Sequence, residues 1–149
     1  MEIKDEIKGK FRNEYHKGLI NIVFTEKYLG NQFLQFIKQH GLSESQYNVL
    51  RIIRGANSGV IISIGYIKER MLDKSSDVSR VVDRLYIKDY INRKECPIDR
   101  RQKEISISKK GLSLLAEMDE CENKVDLLLK NLSIKEVNEL NKLLDKIRD

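Results

Sequence analysis

Residues Lys74–Lys110 read KSSDVSRVVDRLYIKDYINRKECPIDRRQKEISISKK, and the stretch changes period half-way along. In its first half Val78, Val81, Val82 and Leu85 recur at helical spacing, leaving Ser76, Asp77, Ser79, Arg80, Asp83 and Arg84 mainly facing outward. In its second half Ile105 and Ile107 alternate with Glu104, Ser106 and Ser108, the period of a half-buried strand. Residues 90–94 supply a partner strand, and the segment from Glu95 to Arg101, which holds the chain's one proline, is the loop between them. A helix capped by Ser75 or Ser76 and running to about Asp89 is therefore expected to lead into a β-hairpin. The stretch carries eleven Lys or Arg against six Asp or Glu, a net +5. The whole chain also sums to +5, from 28 basic and 23 acidic residues, so the rest balances and the excess charge sits here. Contact with nucleic-acid phosphates requires such concentration on one element.

Upstream, Ile62 to Met71 is expected to form a shorter amphipathic helix, joined to the first by a turn at Asp73 and Lys74. Before it, Ser43 and Gln46 have the spacing of a capping box, opening a helix that carries Tyr47, Val49, Leu50, Ile52 and Ile53 and ends near Gly55. Ile3 to Lys38 is expected to be one long helix, with Ile3, Ile7, Phe11 and Tyr15 every four residues and an apolar face continuing to Ile37. Gly9, Gly18 and Gly30 are misfits in it, each costing roughly 1 kcal/mol relative to alanine. They mark either close helix approach or a break, and periodicity leaves both open. Downstream, Ser108 is placed to cap a long helix containing Leu112, Leu115, Met118, Val125, Leu128 and Leu129. Ser133 and Glu136 form a second capping box, whose helix puts Val137, Leu140, Leu143, Leu144 and Ile147 on one face.

Two short helices joined by a tight turn, a basic outer face on the second and a hairpin after it make a winged helix-turn-helix. The predicted fold class is mainly α with a small β-hairpin, bearing long N- and C-terminal dimerisation helices. Ile3, Ile7, Phe11 and Tyr15 at one end, and Leu140, Leu143 and Ile147 at the other, exceed what so small a core covers. A second copy is the simplest partner.

Other classes find little support. At 149 residues the chain has the length of one domain. Its start, MEIKDEIKGK, has no apolar stretch of the kind a signal peptide needs, and the uncharged run from Gly55 to Ile67 is too short and polar to span a bilayer. A cytoplasmic protein without membrane association is expected. Cys96 and Cys121 offer neither a disulfide framework nor zinc spacing, and His16 and His40 lack partners at metal-ligand spacing. No metal or cofactor is expected. Cys96 lies among Arg93, Lys94, Arg100 and Arg101, a setting that lowers a thiol's pKa, yet an unreactive loop thiol is the reading adopted. There is no phosphate-cradling glycine loop, nucleophile elbow or recognisable catalytic carboxylate pair, so no enzymatic activity is expected.

Four segments in order, LSESQYNVL (42–50), IKERMLDKSSDVSRVVDRL (67–85), YINRKECPIDRRQKEISIS (90–108) and KKGLSLL (109–115), resemble the MarR family of bacterial transcriptional regulators. The resemblance spans roughly residues 3–147. It implies a single domain over 1–149, with 3–38 and 112–149 as helical dimerisation region and 43–108 as winged helix. It further implies an obligate homodimer on double-stranded DNA, with a recognition helix in the major groove and the wing in the neighbouring minor groove. By position, Ser76, Asp77, Ser79 and Arg80 fall where base and phosphate contacts are expected, flanked by Lys74 and Ser75, with Arg84 either on DNA or bracing the wing. Arg93 matches the arginine closing the first wing strand. Asp99 and Arg101 match the wing-tip pair, with Arg100 and Lys103 beside them as phosphate contacts. Two residues depart from the family's pattern. Asp77 stands where many members have threonine, and its carboxylate would accept from cytosine N4 while repelling phosphate. Lys68 replaces a common alanine. The function expected is a sequence-specific regulator, a repressor on a pseudo-palindromic operator, released by a small phenolic or lipophilic effector. The rivals are a non-specific architectural DNA binder and a winged-helix protein-interaction module.

Overall fold

The computed structural model describes residues 2–95 and 103–149, apart from the side chains of 120–125. The chain forms two compact units, Met1–Phe36 and Ile37–Asp149.

In the first unit the helix expected from Ile3 to Lys38 is broken, one of the two alternatives its glycines left open. The unit holds α1 (Ile3–Ile7) and most of α2 (Glu14–Gln39). Helix α1 ends on Lys8 in the left-handed region, φ +50°, and Gly9 lies in the gap. The reason for the restart is local. Asn13 Oδ1 accepts the His16 backbone N–H at 2.9 Å, and His16 Nδ1 accepts that of Arg12 at 3.2 Å. Two amides at the break are thereby satisfied without a continuous helix. His16 also meets Phe11 edge-on, 6.0 Å between ring centroids. Gly18 and Gly30 lie within α2; among the described residues a Cβ at Gly18 would meet nothing within 4 Å and one at Gly30 would meet Glu26 Oε1 at 3.8 Å. Tyr15, Leu19, Ile22, Val23 and Tyr28 leave an exposed apolar face on this helix.

In the second unit α3 (Glu44–Arg54) starts on a complete capping box: Ser43 Oγ accepts from the Gln46 amide at 3.2 Å and Gln46 Oε1 from that of Ser43 at 3.0 Å. Helix α4 (Ile64–Arg70) is capped by Ser63 and is shorter than expected. Helix α5 (Val78–Ile87) follows. The antiparallel strands β1 (Ile91–Glu95) and β2 (Lys103–Ile107) set Ile91 opposite Ile107 and Arg93 opposite Ile105. The Ile105 amide bonds the Ile62 carbonyl at 2.8 Å, fastening the hairpin to the segment ahead of α4. Helix α3 is the hub, packing on α4, α5, β2 and α6 (Lys109–Asp126). Val49, Leu50, Ile67, Val82, Leu85 and Leu115 have no accessible surface. Burying a side chain of this kind contributes about 1.5–3 kcal/mol.

Helix α6 begins hard against the α5–β1 turn. Ser108 Oγ accepts the Gly111 amide at 3.0 Å and donates to the Asp89 carbonyl at 2.6 Å, and the Ser108 amide bonds the Tyr90 carbonyl at 3.0 Å. Asp89 takes the left-handed conformation, φ +61°, that the turn needs. Helix α6 gives way to a short 3-10 turn, Leu127–Leu129, so Leu128 and Leu129 lie beyond the α-helix rather than inside it. A second complete capping box, Ser133 with Glu136, opens α7 (Ile134–Arg148), and no residue of α7 is buried.

Candidate nucleic-acid interface

Helix α5 owes its outward face to its spacing. Val78, Val82 and Leu85 are buried and Val81 half-buried, so Ser79, Arg80, Asp83 and Arg84 are left exposed. Its start differs from expectation. The cap is Asp77, whose Oδ1 accepts the Arg80 amide at 3.1 Å, rather than Ser75 or Ser76. Those serines are engaged one turn earlier. Asp73 Oδ1 accepts both the amide and the hydroxyl of Ser75, at 2.9 and 2.6 Å, and Asp73 Oδ2 accepts the Ser76 hydroxyl at 3.0 Å. The Ser45 and Ser76 hydroxyls lie 3.2 Å apart, which ties the α4–α5 turn to α3. Hydrogen bonds from the Ser75 hydroxyl first, then the Ser75 amide and the Ser76 hydroxyl, hold the Asp73 carboxyl below its ordinary pKa. The Lys74 ammonium donates to the Glu69 carbonyl.

The charge partners also differ from helical spacing alone. Asp77 and Asp83 both stand within one turn of Arg80 or Arg84. Arg80 Nε does approach Asp77 Oδ2, at 3.7 Å, whereas Asp83 turns to the wing and accepts from Arg93 Nη2. The Arg93 guanidinium also lies 5.0 Å from the centroid of the Tyr86 ring. Two positions of α5, three residues apart, thus hold one arginine of β1. Among the described residues the arginine held between α5 and the wing is Arg93, while Arg84 is exposed on α5. Surface pairs of this kind are worth about 0–1 kcal/mol, and an exposed cation–π contact a similar amount. A double-mutant cycle of Asp83→Asn and Arg93→Ala in thermal unfolding is expected to return a coupling of about 0.5 kcal/mol; strictly additive effects would remove the brace.

Lys103, at the start of β2, faces Glu95 at 3.7 Å. Asp99, Arg100, Arg101 and Cys96 lie outside the described residues, as does the side chain of Cys121. Of the remaining candidates, Lys74, Ser75, Ser76, Asp77, Ser79, Arg80 and Arg84 come together on α5 and the turn before it, with Arg93 and Lys103 on the adjoining hairpin.

Three features were missed from the sequence. Tyr86 as a platform for Arg93 was signalled only by its position one turn after Asp83. Arg70 on α4 lies 3.6 Å from the centroid of the Tyr66 ring, an i,i+4 pair that helical spacing does allow. Arg54 and Asp119 form a two-pronged ion pair between α3 and α6, with both N···O distances 2.7 Å. No spacing rule links residues so far apart. The Arg54 hydrogen bond is the main cause holding the Asp119 carboxyl below its usual pKa, and the Asp119 hydrogen bond raises that of Arg54 in turn.

Residues 42–103, from the turn before α3 to the start of β2, match the profile of the MarR family. Over this winged-helix region the chain is similar to the MarR family of transcriptional regulators. Over 129 residues it is 27% identical to the HTH-type transcriptional regulator MhqR of Bacillus subtilis (strain 168), covering 85% of this chain and 87% of that protein. Among solved structures its fold is similar to AbsC, a MarR family regulator from Streptomyces coelicolor, at TM-score 0.80 and 17% identity over 94% of this chain and 96% of the other. It is also similar to BpsR of Bordetella bronchiseptica, at TM-score 0.66 and 19% identity over 87% of this chain and 99% of the other; the DNA binding of BpsR is regulated by 6-hydroxynicotinic acid. At such identities the structural likeness carries the fold, and the MarR winged helix is that fold: α3, α4, α5 and the β1–β2 hairpin in the family's order.

Proposed function

We propose that this chain is a MarR-family regulator, a cytoplasmic repressor that reads a pseudo-palindromic operator as a homodimer. The observation that carries the proposal is the exposed polar face of α5, set by a buried apolar stripe and braced to the wing through Arg93. In this reading residues 43–108 are the reading head, and 3–38 with 112–149 the dimerisation region of a single domain. Arg80 and Ser79 read base edges. Lys74, Ser75, Ser76, Arg84 and Lys103 sit where phosphates pass, and Arg93 holds the wing. Asp99, Arg100 and Arg101 serve the wing tip, with Arg101 in the minor groove, where a narrow groove concentrates negative potential. The two heads of a two-fold dimer require half-sites about 10 bp apart on one face of the duplex.

Release by a small phenolic or lipophilic effector requires that the effector bind the non-DNA-binding arrangement of the heads more tightly. The regulation of BpsR by 6-hydroxynicotinic acid supports an effector of small aromatic type.

Titrating the protein against its own upstream DNA and a scrambled duplex, at two salt concentrations, tests this reading. Preference for the upstream DNA is expected to survive higher salt, while binding to the scrambled duplex falls steeply as counterion release weakens. Arg80→Ala is expected to weaken upstream binding by about 1–3 kcal/mol, or roughly fivefold to 150-fold, with the scrambled duplex much less affected. Equal loss on both duplexes would assign Arg80 to phosphate alone, and equal wild-type affinity for both would replace sequence reading by architectural binding.

A further inference from the structure

We infer that Asp77 sets the base read by the tip of α5, selecting an amino-bearing edge, cytosine above all, at one position of each half-site. The inference rests on the operator-reading role of α5 proposed above. It follows from how the two carboxylate oxygens are employed. Oδ1 is committed to structure, accepting the Arg80 amide at 3.1 Å and so capping the helix. Among the described residues Oδ2 faces only the Arg80 guanidinium, at 3.7 Å, and both side chains are largely exposed. A serine or threonine cap has one oxygen and spends it on the helix. Aspartate caps with one oxygen and has a second left over, which can only accept.

In the major groove the amino groups of cytosine and adenine donate, whereas guanine O6 and N7 and thymine O4 accept. A fixed acceptor at the tip therefore excludes guanine and thymine at the base it faces. Adenine places its N7 lone pair beside the amino group, and that lone pair repels a carboxylate. Cytosine has a C–H there instead and is preferred. Arg80, next to Asp77, is a donor only and matches guanine. In the free chain the two charges also offset one another, so non-cognate DNA is offered a weakened guanidinium. The pair separates at low cost only where a cytosine takes the carboxylate and a guanine or phosphate takes the arginine.

The test is binding-site selection from randomised duplexes by the intact protein, as wild type, Asp77→Asn and Asp77→Ser. Both substitutes keep an oxygen for the cap, so thermal midpoints are expected to stay near wild type. The asparagine variant also replaces the spare acceptor by a donor amide. It is expected to change one position per half-site from cytosine to guanine or thymine, by about tenfold, with every other position unaltered. Asp77→Ser should make the same position degenerate and tighten binding to mixed-sequence DNA. A change confined to that position supports the inference. Identical motifs for all three proteins, or an affinity change equal on every sequence, would overturn it while leaving operator reading intact. If wild type enriches no motif, operator reading itself fails and takes this inference with it.

Discussion

Gly111→Ala is expected to lower the thermal midpoint by about 4–8 °C, although alanine is the better helix former. A Cβ at Gly111 would overlap the Tyr90 carbonyl and lie 2.9 Å from Ile107 Cγ1 and 3.2 Å from the Tyr90 carbonyl carbon. Two of those three atoms are backbone. They cannot move aside without disturbing the bond from the Ser108 amide to the same carbonyl, and with it the start of β1. Helix propensity favours the substitution by about 1 kcal/mol. Overpacking against a fixed backbone costs about 3 kcal/mol and wins, leaving a net loss of about 2 kcal/mol. At this chain length each kcal/mol moves the midpoint by about 2–4 °C, which gives the range stated. Differential scanning calorimetry measures it directly, and a raised midpoint would mean that α6 does not approach the α5–β1 turn so closely.

Leu143→Asp is expected to yield a monomer that has lost most of its affinity for a two-half-site operator. Leu143 is 53% exposed, Ile134 74% and Ile147 65%, on a helix with no buried residue. In an isolated chain a substitution at so exposed a site changes stability by no more than about 0.5 kcal/mol. Against a second copy the same change buries an unpaired carboxylate in an apolar seam, once per protomer, at a cost of several kcal/mol. Sedimentation analysis should show the mass halved at micromolar concentration, with an unchanged circular dichroism spectrum. Loss of the linked second head should reduce affinity for the full operator by about a hundredfold to ten-thousandfold, leaving affinity for a single half-site near wild type. A dimeric, fully binding variant would take α7 out of the proposed interface.

The order of elements was legible in the sequence because its signals are local. The capping boxes at Ser43 and Ser133 and the alternation around Ile105 and Ile107 involve residues within a few positions of one another, and all three formed. The apolar stripe of α5 was legible for the same reason. The break after α1 was legible only as an open alternative at Gly9, because the four-residue recurrence of Ile7, Phe11 and Tyr15 runs straight across it. What decided it was a competition for backbone amides that Asn13 and His16 won. The cap of α5 was misplaced because Ser75 and Ser76 are good capping residues in isolation. Asp73 takes both hydroxyls first, leaving Asp77 to do the capping. Helical spacing offers Asp83 a partner on its own helix, and the hairpin that competes for it becomes visible only once folded. The Arg54–Asp119 pair and the Gly111 approach had no signal at all, being set by how α6 crosses the head.

The pairing of Arg54 with Asp119 has a mechanical consequence. Asp119 lies ten residues into α6, roughly 15 Å from its first turn at 1.5 Å per residue. The first turn of α6 is pinned at Ser108 and Gly111, and its middle is gripped by α3, the same helix that packs on α5. Helix α6 is therefore a lever with a fulcrum rather than a strut with a loose joint. A tilt imposed on its far half would be carried through Arg54 into α3 and on to α5, which packs on it, turning the winged helix as one piece.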